Sequence, residues 1–196
     1  MSPLRSLRRT ALVGVVWVGG AASASEPVEV LDAASAEPPR NYGNLRVGAS
    51  TSSLRPTLCL ELSPLEMLSL EGCGTGSGFL HHDKAPEIAH FRSWLKLTSW
   101  KLGGVWLQPR MGVGFAELQV GEDGGGFHFA GVGATGVETA GPEVGASLRL
   151  LLPAVAGMEW VGEVGVSGAY FHYAPLLNLP QSSFQPSASL SLGVGF

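Results

Sequence analysis

The sequence predicts an all-β fold, namely an eight-stranded antiparallel up-and-down barrel that crosses a membrane with its strands. Three observations lead to this prediction. Glycine makes up 28 of the 196 residues without a collagen-like triplet repeat, which favours strands and turns over helices. Segments with an apolar residue at every second position recur along the chain, as in strands whose two faces differ. Charged residues are only 14% of the chain, and within these segments they fall on the face opposite the apolar one.

The first 24 residues have the three parts of an export signal. Basic residues that end at Arg9 precede an apolar run over residues 10–20, and Ala22-Ser23-Ala24 matches an A-x-A cleavage site. This run is about half of the roughly 20 residues that a membrane-spanning helix needs, which favours a cleaved signal peptide at residues 1–24. The general and the twin-arginine export routes both stay open. Residues 25–42, acidic and proline-containing, predict a flexible periplasmic leader.

Cleavage after Ala24 leaves an acidic chain. It retains 9 basic and all 16 acidic residues, which is a formal net charge of −7 in place of −4. Nucleic-acid binding requires clustered lysines and arginines, so this class of partner is excluded.

Residues 43–196 contain eight alternating segments, each of which predicts one strand of the barrel. The last is the clearest, with Phe184, Leu190 and Phe196 on one face and small polar residues such as Ser189 on the other. Shorter segments come first and longer ones follow. They cover residues 45–50, 58–62, 67–72, 87–98, 105–118, 143–152, 159–172 and 184–196.

The connecting segments alternate in length, which supports a barrel that has both chain ends on the periplasmic side. Short connections follow the second, fourth and sixth strands. Long ones follow the third, fifth and seventh strands, at residues 73–86, 119–142 and 173–183, and we expect these to be extracellular loops. Only the first connection, at residues 53–56, is shorter than this rule predicts.

The charges favour a membrane barrel over a soluble β-sandwich, which is the alternative fold. A soluble sandwich directs its charges into water, whereas a barrel in lipid can pair and hydrate them in its lumen. We therefore predict a lumen charge network. Its members are Arg46, Glu61, Glu71, Arg92, Lys96, Arg110, Glu143, Arg149 and Glu163. Because an eight-stranded barrel is narrow enough for side chains to fill, we expect a plug, with a narrow or gated pore as the alternative.

The final segment, Ser187–Phe196 (SASLSLGVGF), resembles the C-terminal strand of outer-membrane barrel proteins. With the eight strands and the signal peptide, it makes residues 43–196 similar to the small barrels of the OmpA/OmpX type. This resemblance implies an outer-membrane location, contact with outer-membrane lipids, and Phe196 as the signal that the barrel assembly machinery reads. It implies no particular activity.

Aromatic residues near the predicted strand ends fit the aromatic girdle of such barrels. They are Trp94, Trp100, Trp106, Trp160, Tyr170 and Tyr173. Cys59 and Cys73 are candidates for a disulfide in an oxidising compartment, since both fall on the inward face near the same strand ends.

The histidines give weak signals for chemistry. Some small outer-membrane barrels are lipid-A deacylases, and His172 precedes a loop that contains Ser182 and Ser183. The His-x-Ser arrangement of such a site is missing, so a histidine at the barrel rim is the simpler interpretation. The cluster His81-His82-Asp83 with His90 lacks the fixed scaffold that a metal site needs.

We therefore expect no catalytic residue, no cofactor and no metal ion. The predicted function is a non-enzymatic outer-membrane barrel with a structural, adhesive or envelope-integrity role. Its exposed loops would contact an extracellular or periplasmic partner. The alternatives are a narrow or gated pore for small solutes and a lipid-modifying outer-membrane enzyme.

Overall fold

A computed structural model describes residues 41–76, 85–121 and 128–196 of the chain. The predicted signal peptide, the leader as far as residue 40 and the pair His81-His82 lie outside the described residues. Within them the chain forms nine strands and one short 3₁₀ helix, Ala174–Leu176. The strands are β1 Gly43–Ser50, β2 Thr57–Leu62, β3 Leu68–Gly74, β4 Glu87–Lys96, β5 Trp100–Leu102, β6 Val105–Gln119, β7 Glu138–Pro153, β8 Glu159–Tyr170 and β9 Phe184–Gly195. No helix in these ranges has the length and the apolar character needed to cross a membrane.

Eight of the strands close into an antiparallel barrel. Each pairs with its neighbour in the chain, except that β4 passes over β5 to pair with β6. The last strand, β9, pairs with β1 from Asn44 opposite Gly195 to Ser50 opposite Ser189, which closes the ring. The prediction of an all-β, closed, eight-stranded antiparallel barrel is therefore confirmed.

The ends of several strands differ from the prediction by one or two residues, and two segments differ by more. Residues 100–102 were predicted as part of a turn, but they form β5, which extends the hairpin of β6 with Trp100 opposite Leu107. Strand β7 begins at Glu138 rather than at Glu143, so the end of the predicted loop continues the ladder with β6. Neither segment carries the signal of a strand, because β5 is too short to show a period and Pro142 is typical of turns.

The connections lie at the two ends of the barrel. The end that holds residues 51–56, 75–76, 85–86, 120–121, 128–137 and 171–183 is called the loop end here, and the other the terminal end. At the terminal end the start of β1 meets the last residue of the chain. The backbone N–H groups of Tyr42 and Gly43 donate to the carbonyl of Phe196 at 2.9 and 3.1 Å, and Phe196 N–H donates to the carbonyl of Gly43 at 2.9 Å.

The barrel is polar inside and apolar outside. Strand β2 shows this most plainly, since Leu58, Leu60 and Leu62 are 46%, 52% and 55% exposed. Between them Cys59 and Glu61 are buried. Successive side chains of a strand point to opposite faces, so the leucines cover the outer surface and the glutamate faces the interior.

The interior is filled in three layers. Near the terminal end Trp106, Leu151 and Val161 form a small apolar cluster. Charged side chains occupy the middle. Near the loop end a larger apolar cluster closes the barrel, and its members are Ile88, Ala116, Leu118, Val120, Ala169, Phe171, Ala174 and Leu177.

Candidate functional site

The charged middle layer contains most of the predicted lumen charge network. Eight residues from seven strands lie together there, and we call them the interior ion network. They are Arg46 of β1, Glu61 of β2, Glu71 of β3, Arg92 of β4, Arg110 of β6, Glu143 and Arg149 of β7, and Glu163 of β8. Lys96 lies apart from them, because its Nζ pairs at 3.0 Å with Oε1 of Glu66, which is 68% exposed.

Two glutamates hold three arginines at the centre of the network. Glu61 accepts hydrogen bonds from Arg46 at 3.0 Å, from Arg110 at 2.9 Å and from Arg149 at 2.8 Å. Glu163 pairs with the same three guanidinium groups, at 2.7 Å to Arg46, 2.6 Å to Arg110 and 2.7 Å to Arg149. Because β1, β2, β6, β7 and β8 supply these groups, the contacts cross the barrel interior.

Glu71 extends the network toward Trp94. It pairs with Arg46, and its Oε1 accepts from Nε of Arg92 at 3.0 Å and from the indole N–H of Trp94 at 2.9 Å. The guanidinium carbons of Arg92 and Arg110 lie 5.0 and 4.7 Å from the centroid of the Trp94 ring, which is cation–π distance.

Trp94 is therefore an interior residue and not part of a girdle. A Cβ atom at Gly112 would lie 2.5 Å from the indole ring, so a glycine is required beneath it. Trp106 is also buried, whereas Trp100, Trp160 and Tyr170 are exposed near strand ends as a girdle requires.

The network is electrically balanced, with four arginines and four glutamates. A buried charge without a partner is costly, so each member depends on the others. Two cavities of about 40 and 20 Å³ adjoin the network. A water molecule needs roughly 10–15 Å³ of such space, so each cavity has room for no more than a few waters.

Three carboxylates of the network lie close enough together to bind a metal ion, but an arginine side chain already pairs with them. Ligand oxygens of Glu61, Glu71 and Glu163 lie within 4.8 Å of one another, close enough to share one ion. Arg46 contacts all three of these carboxylates. The arrangement therefore neutralises the carboxylates with the protein's own guanidinium groups.

The two cysteines are joined. Cys59 lies directly opposite Cys73 in the ladder between β2 and β3, their Cα atoms are 4.1 Å apart, and a disulfide connects them. Both are buried on the inner face, which agrees with the inward face that the sequence predicts for them.

A second polar cluster, which sequence reasoning missed, lies between the network and the loop end. His90 of β4 donates from Nδ1 to Oε1 of Glu143 at 2.8 Å, and its Nε2 lies 3.3 Å from Oγ of Ser52 in the loop after β1. Ser52 Oγ is also 2.7 Å from Oγ of Ser50. The alternation places His90 and Glu143 on the inner face. No local sequence signal predicts their contacts, because His90 is 38 positions from Ser52 and 53 positions from Glu143.

The histidine and the serine of the deacylase alternative, His172 and Ser182, have other neighbours. His172 packs edge-on against Tyr173, with ring centroids 4.8 Å apart. The hydroxyl of Ser182 donates to the backbone carbonyl of Phe184 at 3.0 Å.

The fold and its interior define the class of this protein as a closed eight-stranded β-barrel filled by an ion network. Comparisons with protein-family models, with curated proteins and with solved structures find no match.

Proposed function

We propose that this protein is an outer-membrane barrel with a structural, adhesive or envelope-integrity role, whose loops contact an extracellular or periplasmic partner. The observation that carries the proposal is the inverted polarity of the barrel. Charged residues fill the interior, whereas exposed leucines, valines and aromatic residues cover the outside. A protein surrounded by lipid needs this distribution, and a protein surrounded by water needs the opposite one.

The closed sheet also supports a membrane location. Hydrocarbon does not tolerate unpaired strand edges, and pairing of β9 with β1 removes the last such edge of the barrel. Exposed aromatic residues lie near both ends. Trp100 and Trp160 are near the terminal end, while Tyr170 and Phe184 face each other across the ladder near the loop end. Their positions suit the two interfaces of a bilayer.

The filled interior favours a scaffold over a pore. The pair of Glu61 on β2 with Arg149 on β7 joins opposite walls of the barrel, and an apolar cluster lies on each side of the ion network. A solute would have to separate several buried ion pairs to pass, which is costly. The proposed barrel therefore does not conduct.

The test compares boiled and unboiled samples of the outer-membrane fraction by gel electrophoresis. A closed barrel that resists detergent migrates faster before boiling, so we expect a fast band in that fraction. The purified protein, added to a planar bilayer, is expected to give no steady conductance. A soluble periplasmic protein without a mobility shift would contradict the membrane assignment, and stable single-channel steps would favour the pore.

A further inference from the structure

We propose that Ser52, His90 and Glu143 form a hydrolytic site that cleaves an acyl ester at the loop end of the barrel. This inference goes beyond the scaffold role and departs from the non-enzymatic function that the sequence predicts. It rests on the order of the three groups. A hydroxyl, an imidazole and a carboxylate follow one another at 3.3 and 2.8 Å, the arrangement with which serine hydrolases activate their nucleophile.

The histidine is oriented for a base. A carboxylate only accepts hydrogen bonds, so the Nδ1 atom that faces Glu143 carries the proton. The lone pair of Nε2 is then directed at Ser52. Burial holds the ring in this position, since His90 is only 4% exposed. Nη1 of Arg92 lies 3.7 Å from the same oxygen of Glu143 and compensates the buried carboxylate charge.

Ser52 is placed for attack by the loop between β1 and β2. It is half-buried, and its backbone N–H donates to Oγ of Ser50 at 3.2 Å, which fixes the turn. The hydroxyls of Ser50 and Ser187 lie 2.7 and 3.4 Å from Oγ of Ser52. Ser50 and Ser187 line the interior cavity of about 20 Å³ together with His90, so they hold the Ser52 hydroxyl in position beside Nε2.

A cavity beside Ser52 provides the space for a substrate. Its volume is about 220 Å³, and Leu54, Ile88 and Leu118 line it together with Gln181 and Gln185. The apolar side chains suit an acyl chain and the amides suit the polar part of an ester. Because drug-sized ligands occupy roughly 300–1,000 Å³, a cavity of this size favours a short acyl group.

The chemistry proceeds in two balanced steps. Ser52 Oγ attacks the carbonyl carbon while Nε2 of His90 takes the hydroxyl proton, and the same proton is then given to the alcohol that leaves. The acyl group is now bound to Ser52. A water molecule attacks this ester, His90 takes its proton and returns it to Ser52 Oγ, and the carboxylic acid departs. Glu143 is a positioning residue, because it acts only through His90.

The experiment uses the full chain folded in detergent micelles, with the gel shift on boiling as proof of folding for every variant. A fluorophosphonate probe should add one phosphonyl group to Ser52, detected by intact mass. The protein should also hydrolyse p-nitrophenyl butyrate. Ser52→Ala should lose both signals, while Ser182→Ala and His172→Ala, at the same end of the barrel, should retain them.

Glu143→Gln separates a positioning role from a structural one. It should lower kcat by roughly 10²–10⁴-fold and leave KM nearly unchanged, as expected when an acid orients the base. A vesicle of phosphatidylethanolamine and phosphatidylglycerol, offered beside the soluble ester, tells whether the ester is a membrane lipid or a soluble compound. The proposal is overturned if the folded protein neither binds the probe nor cleaves either ester, or if Ser52→Ala behaves like the parent.

Discussion

Glu61 illustrates how one side chain of the barrel depends on the strands around it. It lies on β2, is fully buried, and contacts guanidinium groups of Arg46, Arg110 and Arg149 from three other strands. Its removal would leave these buried cations with too few carboxylates. Leaving a buried charge without a partner costs more free energy than the loss of any single hydrogen bond in the network.

Glu61→Gln therefore tests the network with almost no change in shape. We expect it to lower the free energy of unfolding by roughly 3–5 kcal/mol. The matched control is Glu66→Gln. Glu66 pairs with Lys96 at the surface, so this substitution should leave the free energy of unfolding nearly unchanged. Urea titration of the folded barrel, followed by tryptophan fluorescence, gives both values. Equal unfolding midpoints for the two variants would contradict the network's role.

For single residues, the sequence predicts the face of the strand well, but it does not predict which residues come into contact. Alternation places Arg46, Glu61 and Arg149 on the inner face without reference to any partner. Lys96 has the same parity, but it lies at the end of β4 and reaches the exposed Glu66. The contact between His90 and Ser52 needs the path of a loop, which parity does not determine.

Strands β2 and β3 form the shortest ladder of the closed barrel, and the disulfide lies within it. This ladder has 5 residue pairs, from Leu58 opposite Gly74 to Leu62 opposite Leu70, whereas the ladder of β6 and β7 has 14. Fewer pairs mean fewer hydrogen bonds and less contact between the strands. The covalent link between Cys59 and Cys73 supports the hairpin where pairing contributes least.

Loss of this disulfide should destabilise the barrel. The cysteines are 14 positions apart, and closing a loop of about 15 residues is worth roughly 3 kcal/mol. We expect Cys59→Ala combined with Cys73→Ala to lower the urea midpoint accordingly. Treatment of the unaltered protein with a reductant in urea should give the same midpoint. Reduction breaks the disulfide without removing side-chain atoms, so it creates no cavity. A midpoint insensitive to the reductant would refute the expectation.

The elements that the sequence predicts best are those with long apolar alternation. Strand β9 alternates over its whole length, so its existence and its faces follow directly. The start of β7 does not, because Thr139 and Gly141 interrupt the pattern before Pro142. Pairing with β6 holds these residues in the sheet, and such pairing is a tertiary effect that local sequence does not encode.

The barrel has a polar interior and an apolar outer surface, and the surrounding medium decides whether this distribution is stable. Leu190 lies on the outer face of β9, midway between Phe184 and Phe196, and is 60% exposed. The residues opposite it in the two ladders are Ala49 and Val164, and neither is charged. In water an arginine at this position would be harmless, whereas in the middle of a bilayer it would be poorly solvated.

Leu190→Arg therefore separates the two environments. For a barrel in lipid we expect a loss of roughly 2–4 kcal/mol, measured as a lower urea midpoint and a weaker gel shift in vesicles. Leu176→Arg is the control, because Leu176 lies in the 3₁₀ helix at the loop end and is 69% exposed. It should assemble like the parent in either environment. If both variants fold equally well in vesicles, the apolar belt does not face lipid, and the membrane assignment fails even though the barrel is closed.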